Sequence, residues 1–393
     1  MWQDQRILSD EKLLMNQQEP NMDIPERYED ITAEWLTEAL RSGGVIGDQT
    51  VSTFQLEPLG ADRSLTSSLA RITVGYDRHA DGLPDSMFVK FASRNPVNRK
   101  YAADHSYFRR EIELYKNLGG SVPLNMPRMY FGLASEDSDV AVVVLEEING
   151  ISKGSLPPEE RPLTAGEAKL ALKEIAKMHA KWWEDQTLHE HKWLNTIDGS
   201  DRMLLYQSYE KAWARIKDVL EPTLSPDAAR ICNGLSDYLP TLISKLNRIP
   251  TTLCHGDFHS GNLLWDKTGE PDAVWIIDWQ ITSIGPAILD VSFLMCFGVS
   301  QSDLPFVRNE YLLEYHNSLV RHGVTNYGYE KLLSDYRYGL LDGLARLTAF
   351  LSTVDFAQNN VAEFASSRVG AVAAAAEDAG CAGLISIRKS ARS

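Results

Sequence analysis

The amino-acid sequence predicts an α+β protein of two lobes, in which a small antiparallel β-sheet lobe is followed by a mainly helical lobe. Five short runs rich in β-branched, aromatic and other apolar residues lie between residues 51 and 148, and turn-like segments separate them, as is typical of a sheet. From residue 164 onwards, apolar residues recur at helical spacing over long segments. The chain of 393 residues is long enough for each lobe to bury its own core.

Composition excludes several classes of protein. The hydrophobic fraction of 44% and the charged fraction of 24% are close to those of ordinary globular proteins. A formal net charge of −15 would repel a phosphate backbone, so we expect no nucleic-acid partner. The sequence has no apolar run of roughly 18 residues, and its first residues lack a signal-peptide pattern. We therefore expect no membrane partner and a cytoplasmic location.

Cysteine usage agrees with that location. The four cysteines are scattered, without the close pairs of a zinc site or the density of a disulfide scaffold. We expect them to be reduced and mostly packed.

The sheet lobe is predicted over residues 31–147, after a polar and flexible arm at residues 1–30. A helix begins near Ile31 and ends at a glycine pair. After three β runs, residues 104–120 carry apolar side chains at helical spacing. Two further β runs complete the lobe.

The helical lobe is predicted over residues 148–365 and is followed by an Ala-rich C-terminal tail at residues 366–393. Three short β runs interrupt the helical pattern, namely TTLCH, NLLW and AVWIID. The predicted helical segments lie at about 164–188, 201–220, 226–247, 303–322 and 329–357.

The segment LCHGDFHSGNLLW carries the most specific chemical signal. Asp257 is followed five positions later by Asn262, the spacing of the kinase catalytic loop H-R-D-x-x-x-x-N. Phosphoryl transfer needs a carboxylate that orients the acceptor hydroxyl and oxygen ligands that hold a divalent metal. The alternative is that both residues merely form a tight turn.

Three further residues follow the chain order of a kinase. Asp278 comes directly after the apolar run AVWII, where a second metal ligand is expected. Lys90 lies inside the apolar run MFVKFA, where an ammonium needs a carboxylate or phosphate partner. Glu111 on the following helix can be that partner, although Glu113 competes with it, and Lys90 could instead be a solubilising edge-strand lysine.

Together these residues resemble the aminoglycoside phosphotransferase and choline kinase-like superfamily, including its ecdysteroid kinase-like branch. The resemblance implies a protein-kinase-like, bilobal fold that uses ATP and Mg²⁺. It also implies that Asp257 is the catalytic base, that Asn262 and Asp278 hold the metal, and that Lys90 and Glu111 serve the nucleotide. A hinge whose backbone groups bind adenine corresponds to Leu145, Glu146, Glu147 and Ile148.

The sequence departs from the protein-kinase pattern at two places. The phosphate loop LGADRSLTSS has only Gly60, so Ser64, Thr66 or backbone N–H groups would have to meet the phosphates. Asp278 is followed by Trp-Gln instead of Phe-Gly, and no A-P-E segment follows. The absence of a recognisable activation segment favours a small-molecule acceptor over a polypeptide.

Other polar and aromatic residues are predicted to have structural roles. We expect His255 to brace the loop by hydrogen bonding, Asp290 to support the same loop, and His179 to be a hydrogen-bonded core residue. The aromatic residues between 182 and 213 could wall an acceptor pocket, but aromatic residues at helical spacing are usually core.

The sequence therefore predicts an ATP-dependent phosphotransferase that acts on a hydroxyl group of a small molecule. The resemblance implies acceptors such as aminoglycosides, choline, macrolides, sugars or steroid alcohols, and it favours a bulky, partly apolar alcohol. The alternatives are a nucleotide-binding pseudokinase that acts as an interaction module and, less favoured, a protein kinase.

Overall fold

The two-lobe α+β architecture is confirmed by the computed structural model, which describes residues 22–59, 66–148, 161–197, 199–266, 272–352, 363 and 365–386. Five antiparallel strands form one sheet in the order β1-β2-β3-β5-β4. Their bounds are Val51–Pro58 (β1), Ser67–Tyr76 (β2), Ser86–Ala92 (β3), Met129–Ala134 (β4) and Ala141–Glu146 (β5).

Helices cover both faces of this sheet. Helix α1 (Ala33–Ser42) packs on one face, and its first turn is capped by Thr32, whose Oγ1 accepts a hydrogen bond from Trp35 N. Helix α2 (Pro96–Asp104) leads to α3 (Tyr107–Asn117), which packs on the other face.

The two faces of β3 follow from strand alternation. Met87, Val89 and Phe91 belong to the core beneath α1, whereas Ala92 belongs to the cluster beneath α3. Because successive side chains of a strand point to opposite faces, Lys90 shares the face of Ala92. The strand thereby directs a buried cation towards α3.

Part of the predicted N-terminal arm belongs to the sheet lobe. Residues 1–21 lie outside the described part of the chain. Met22, Ile24 and Tyr28 pack against the core beneath α1, and Trp35 Nε1 donates a hydrogen bond to Asp23 O at 3.0 Å. The last residues before α1 are therefore held by apolar contacts.

The second lobe is mainly helical, and α9 is in its centre, in contact with α5, α6 and α7. The helices of this lobe are Ala165–Lys181 (α4), Ser200–Leu220 (α5), Pro226–Leu246 (α6), Ile288–Gly298 (α7), Leu304–Arg321 (α8), Tyr329–Phe350 (α9), Gly370–Asp378 (α10) and Cys381–Ser386 (α11). Its short strands are Asn195–Thr196 (β6), Thr251–Cys254 (β7), Leu263–Asp266 (β8), Ala273–Ile276 (β9) and Ser283–Pro286 (β10).

The Ala-rich segment is an ordered part of this lobe as far as residue 386. Helices α10 and α11 pack against α6, and Val372, Ala373 and Ala376 are buried. Their small side chains allow close helix contact, which explains why an Ala-rich sequence is not a solvent-exposed extension here. Residues 387–393 lie outside the described part of the chain. None of the described helices combines the length and the apolar character that a membrane span requires.

Candidate active site

The loop between β7 and β8 brings Asp257 and Asn262 together. Asn262 Nδ2 donates hydrogen bonds to the backbone oxygen of Asp257 at 2.9 Å and to its Oδ2 at 3.2 Å. These donations fix the orientation of the amide, so that its Oδ1 points away from Asp257. The loop thus presents a carboxylate and an amide oxygen in a defined relation.

Two histidines flank Asp257, and their hydrogen bonds define their tautomers. Asp257 N donates to His255 Nδ1 at 3.2 Å, so the proton of a neutral His255 ring is on Nε2, which donates to Ile277 O at 3.0 Å. Gly261 N donates to His259 Nδ1 at 3.1 Å, and His259 Nε2 lies 3.6 Å from Asp257 Oδ2. His255 therefore braces the loop, and the Nε2–H of His259 faces the carboxylate.

Asp290 supports the loop from helix α7. Its Oδ2 accepts a hydrogen bond from His255 N at 2.7 Å, and its Oδ1 accepts one from Gly256 N at 2.8 Å. His179 Nε2 lies 3.1 Å from Asp290 Oδ2, and its Nδ1 lies 2.8 Å from Tyr315 Oη. Both His179 and Asp290 are fully buried, so they form a structural support behind the loop.

Gly256 has to be a glycine for steric reasons. Its φ angle of 86° lies in the left-handed region that side chains disfavour. A Cβ atom at this position would lie 2.2 Å from Ile281 O. The residue immediately before Asp257 therefore tolerates no side chain.

A second cluster joins the two lobes. Lys90 Nζ lies 3.0 Å from Glu111 Oε2 and 2.8 Å from Asp278 Oδ1. Glu111 is fully buried, whereas Glu113 accepts a hydrogen bond from the Asn117 amide. Glu111 is thus the acid of α3 that turns towards Lys90.

Asp278 is held in an unusual backbone conformation directly after β9. Its φ angle is 65°, which Asp tolerates better than most residues. Ile277 N donates a hydrogen bond to Asn262 O at 3.1 Å, and Trp279 N donates one to Glu111 Oε1 at 3.4 Å. Backbone bonds on both sides of Asp278 therefore connect it to the loop between β7 and β8 and to α3.

The charges of the site follow from these contacts. Burial would raise the pKa of Asp257, but His259, His255 and Arg346 outweigh it, so the pKa of this carboxyl lies below its usual value. Burial would lower the pKa of Lys90, but the carboxylates of Asp278 and Glu111 outweigh it and raise that pKa. Asp257 is consequently a carboxylate, and Lys90 is an ammonium.

The hinge acids have partners within the sheet lobe. Glu146 Oε2 accepts a hydrogen bond from Arg128 N at 3.0 Å, and Arg71 Nε donates to both carboxylate oxygens of Glu147 at 2.9 Å. Ile148 is half-buried and ends the described part of this segment. The carboxylates of Glu146 and Glu147 are therefore both engaged within the sheet lobe.

The predicted phosphate loop is only partly described. Gly60 and Ser64 lie outside the described residues. Thr66 precedes β2, and its Oγ1 donates a hydrogen bond to Gln280 Oε1 at 3.4 Å across the lobes. Thr66 therefore contacts Gln280, a residue that lies two positions after Asp278 in the sequence.

The donor set of Asn262 and Asp278 fits a divalent metal. Hard cations such as Mg²⁺ prefer carboxylate, carbonyl and water oxygens. Asn262 Oδ1 is turned away from Asp257 by the hydrogen bonds of Nδ2, and the Asp278 side chain keeps about a third of its surface exposed, at 32%. These two residues would hold the metal, with the cation Lys90 beside them.

A second cluster in the described part of the chain consists of residue types that can bind a metal, but its members are engaged in hydrogen bonds with the protein. Ligand atoms of His179, Cys254 and Asp290 lie within 4.8 Å of one another. Both oxygens of Asp290 accept backbone hydrogen bonds, and Cys254 Sγ donates to Gly285 O at 3.3 Å. Burial raises the pKa of the Cys254 thiol, so the group is uncharged. We interpret this cluster as a hydrogen-bonded core.

The sequence analysis missed two residues of this site. His259 could have been found from its place inside the loop, two positions after Asp257. Arg346 gave no signal in the sequence, because it lies on α9 and its contact with Gly256 O spans ninety positions. Its Nη2 donates to this oxygen at 3.1 Å.

A family model provides the decisive comparison. The model of the ecdysteroid kinase-like family matches residues 63–326, more than half of the chain. The chain belongs to the ecdysteroid kinase-like family. As a member of that family, the protein is a kinase of the class that acts on small molecules, and the resemblance to this branch that the sequence analysis stated is confirmed.

Similar proteins agree with this membership. An uncharacterized kinase-like protein of Caenorhabditis elegans is 24% identical over 313 residues, which cover 72% of this chain and 78% of that protein. The structure of a Plasmodium vivax ethanolamine kinase has a TM-score of 0.52 and 13% identity, covering 88% of this chain and 89% of that one. An amicoumacin kinase in complex with AMP-PNP, Ca²⁺ and Ami has a TM-score of 0.50 and 12% identity, covering 90% and 96%. At these identities the solved structures show the shared kinase-like fold.

Proposed function

We propose that this ecdysteroid kinase-like protein transfers the γ-phosphoryl group of Mg-ATP to a hydroxyl group of a small molecule. The observation that carries the proposal is a continuous chain of contacts from Lys90 to Asp257. Lys90 contacts Asp278, the preceding residue Ile277 donates to Asn262, and Asn262 donates to Asp257. Groups suited to phosphate, metal and acceptor are thus adjacent in the order that the reaction requires.

Each of the candidate site residues has a distinct role in the proposal. Lys90 pairs with nucleotide phosphates, and Glu111 keeps the ammonium in place. Asn262 and Asp278 hold Mg²⁺, which would neutralise charge that develops on the phosphate oxygens when it is bound. Asp257 accepts a hydrogen bond from the acceptor hydroxyl and orients its oxygen.

The ionisation of Asp257 supports its role. A residue that orients a hydroxyl and receives its proton has to be unprotonated at the working pH. The neighbouring His259 and Arg346 favour the carboxylate form, so the pKa of Asp257 is below its usual value. We therefore expect the base to be ready over the whole neutral range.

The acceptor is proposed to be a small-molecule alcohol. The names of the related solved kinases refer to ethanolamine and amicoumacin, and one of those structures contains AMP-PNP and Ca²⁺. The sequence lacks an A-P-E segment, which supports a small acceptor over a polypeptide. Acceptor classes to be tested are aminoglycosides, choline analogues, macrolides, sugars and steroid alcohols.

The test is ATP consumption with Mg²⁺ across this panel, using the wild type, Asp257→Asn and Asp218→Asn. Asp218 is an exposed acid on α5 and serves as the matched control. We expect at least one acceptor to stimulate ATP turnover in the wild type and in the control. In Asp257→Asn the stimulated turnover should be at least about a thousandfold lower. Equal turnover in Asp257→Asn would contradict the proposed mechanism. ATP binding without turnover of any acceptor would favour a pseudokinase, and phosphorylation of a polypeptide alone would favour a protein kinase.

A further inference from the structure

The backbone of Gly256 is held by charged side chains at both its N–H and its carbonyl group. Its N–H donates a hydrogen bond to Asp290 Oδ1 at 2.8 Å, and its carbonyl accepts one from Arg346 Nη2 at 3.1 Å. Asp290 belongs to α7 and contacts the His255–Gly256 peptide, whereas Arg346 belongs to α9 and contacts the Gly256–Asp257 peptide, so two helices fix the backbone on both sides of Gly256. Hydrogen bonds to charged groups are the stronger kind.

Arg346 is itself anchored. Its Nε lies 3.6 Å from Asp342 Oδ2, one helical turn earlier on α9. Asp342 Oδ1 accepts hydrogen bonds from Arg202 and Tyr206 of α5. A buried network thus connects α5 to the catalytic loop, and it restricts the freedom of the guanidinium.

Packing restricts the same side chain further. The guanidinium of Arg346 lies over the ring of Phe293, 5.4 Å from its centroid. The rings of Phe293 and His259 pack in a T-shaped arrangement with their centroids 6.0 Å apart, and His259 Nε2 lies 3.6 Å from Asp257 Oδ2. Arg346 therefore approaches the base both through the backbone of Gly256 and through this aromatic contact.

A purely structural role for Arg346 is the competing interpretation, because many arginines join helices through ion pairs. Such a role requires only the contact with Asp342. The hydrogen bond from Arg346 to Gly256 O is a second contact, and it is made with the backbone of the loop that carries Asp257. The oxygen that Arg346 contacts belongs to the peptide group that links Gly256 to Asp257.

We propose that Arg346 is a positioning residue for phosphoryl transfer, which holds the carbonyl group of the Gly256–Asp257 peptide and thereby sets the direction of the Asp257 carboxylate. The expected effect of Arg346 on catalysis rests on the proposed function, whereas its expected effect on the mobility of the loop does not. A small displacement of a reacting group lowers the rate strongly while leaving nucleotide binding intact. The effect of losing Arg346 should therefore fall on kcat and not on the KM for ATP.

The test compares Arg346→Met and Arg346→Lys with the control Arg308→Met. Arg308 forms an ion pair with Asp378 in the same lobe, and its side chain has similar exposure, 20% against 17% for Arg346. Amide hydrogen exchange of residues 255–258 is measured by mass spectrometry, together with kcat and the KM for ATP.

We expect Arg346→Met to speed exchange at residues 255–258 by about tenfold and to lower kcat by roughly ten- to a hundredfold. The KM for ATP should change by less than about twofold, Arg346→Lys should recover part of kcat, and Arg308→Met should alter neither the loop exchange nor kcat. Unchanged loop exchange in Arg346→Met would overturn the inference, as would faster exchange spread evenly along α9. If the wild type turns over no acceptor, the proposed function fails. Faster exchange confined to residues 255–258 would then still support the positioning contact.

Discussion

Lys90 and Asp278 form an ion pair across the two lobes, with 2.8 Å between Nζ and Oδ1. The same ammonium lies 3.0 Å from Glu111, whose carboxylate is fully buried. In the proposed reaction, both Lys90 and Asp278 also serve the nucleotide and its metal. Glu111 is then the partner that retains Lys90 while Asp278 binds the metal.

The first prediction concerns Lys90→Met. This change leaves the fully buried Glu111 without its closest positive charge, so the free energy of unfolding should fall by about 3 kcal/mol. Nucleotide affinity should fall as well, because the partner of the phosphates is lost. Chemical denaturation and ATP titration measure the two effects.

The double variant Lys90→Met/Glu111→Gln separates stability from function. Removing the unpaired charge of Glu111 should recover most of the lost stability, since burial already raises the pKa of this carboxyl. ATP affinity should stay low. Recovery of ATP affinity in the double variant would show that Lys90 has only a structural role.

The second prediction concerns the pH dependence of Asp290. Burial would raise the pKa of this carboxyl, but His179 and the loop N–H groups outweigh it, so the folded-state pKa lies below the ordinary value of 3.8. A lowered folded-state pKa means that Asp290 contributes stability above about pH 3.8, and that this contribution is lost as the pH falls through the folded-state pKa. Asp290→Asn should lose about 3 kcal/mol at neutral pH, because its amide faces a backbone N–H donor.

Urea denaturation of the wild type and Asp290→Asn over a range of pH provides the measurement. The difference in the free energy of unfolding between the two proteins should be largest near neutral pH and should become smaller as the pH falls below about 3.8. A difference that stays constant down to the acid transition would mean that the carboxylate charge is not what supports the loop.

The third prediction uses two glycines with positive φ angles. Gly256→Ala places a Cβ 2.2 Å from Ile281 O, whereas Gly323, with a φ of 100°, has nothing within 4 Å of such an atom. Gly323→Ala should cost only the backbone strain, about 1 kcal/mol. Gly256→Ala should cost distinctly more and should abolish turnover. Equal losses of stability would show that the loop relaxes around the added methyl group.

The sheet lobe and most helices of the second lobe could be predicted because their patterns are regular. The five strands and the helices α1, α3, α5, α6 and α8 lie close to the predicted segments, and α4 and α9 begin as predicted but end about seven residues earlier. Helix α7 is different: nearly all of its residues are buried, so the sequence has no polar face that would mark helical spacing. Its extent could not be read from periodicity.

The candidate residues of the loop between β7 and β8 could be picked out from their spacing, but the residues that support this loop could not. Asp257, Asn262 and Asp278 are marked by the distances between them in sequence, and Lys90 by its place in an apolar strand. Arg346 and Asp342 are ordinary helix residues by pattern, and their importance arises from tertiary contacts with residues far away in sequence. Spacing between residues in the sequence indicates which residues of one loop act together, but it does not indicate contacts between residues that are far apart in the sequence.

The most direct test of the central claim is calorimetric titration of ATP into the wild type and Asp278→Asn, each with and without Mg²⁺. The account predicts that Mg²⁺ raises the affinity of the wild type for ATP by at least about tenfold, and that of Asp278→Asn by less than about twofold. An equal response to Mg²⁺ in both proteins, or no binding of ATP by the wild type, would contradict the assignment of this site.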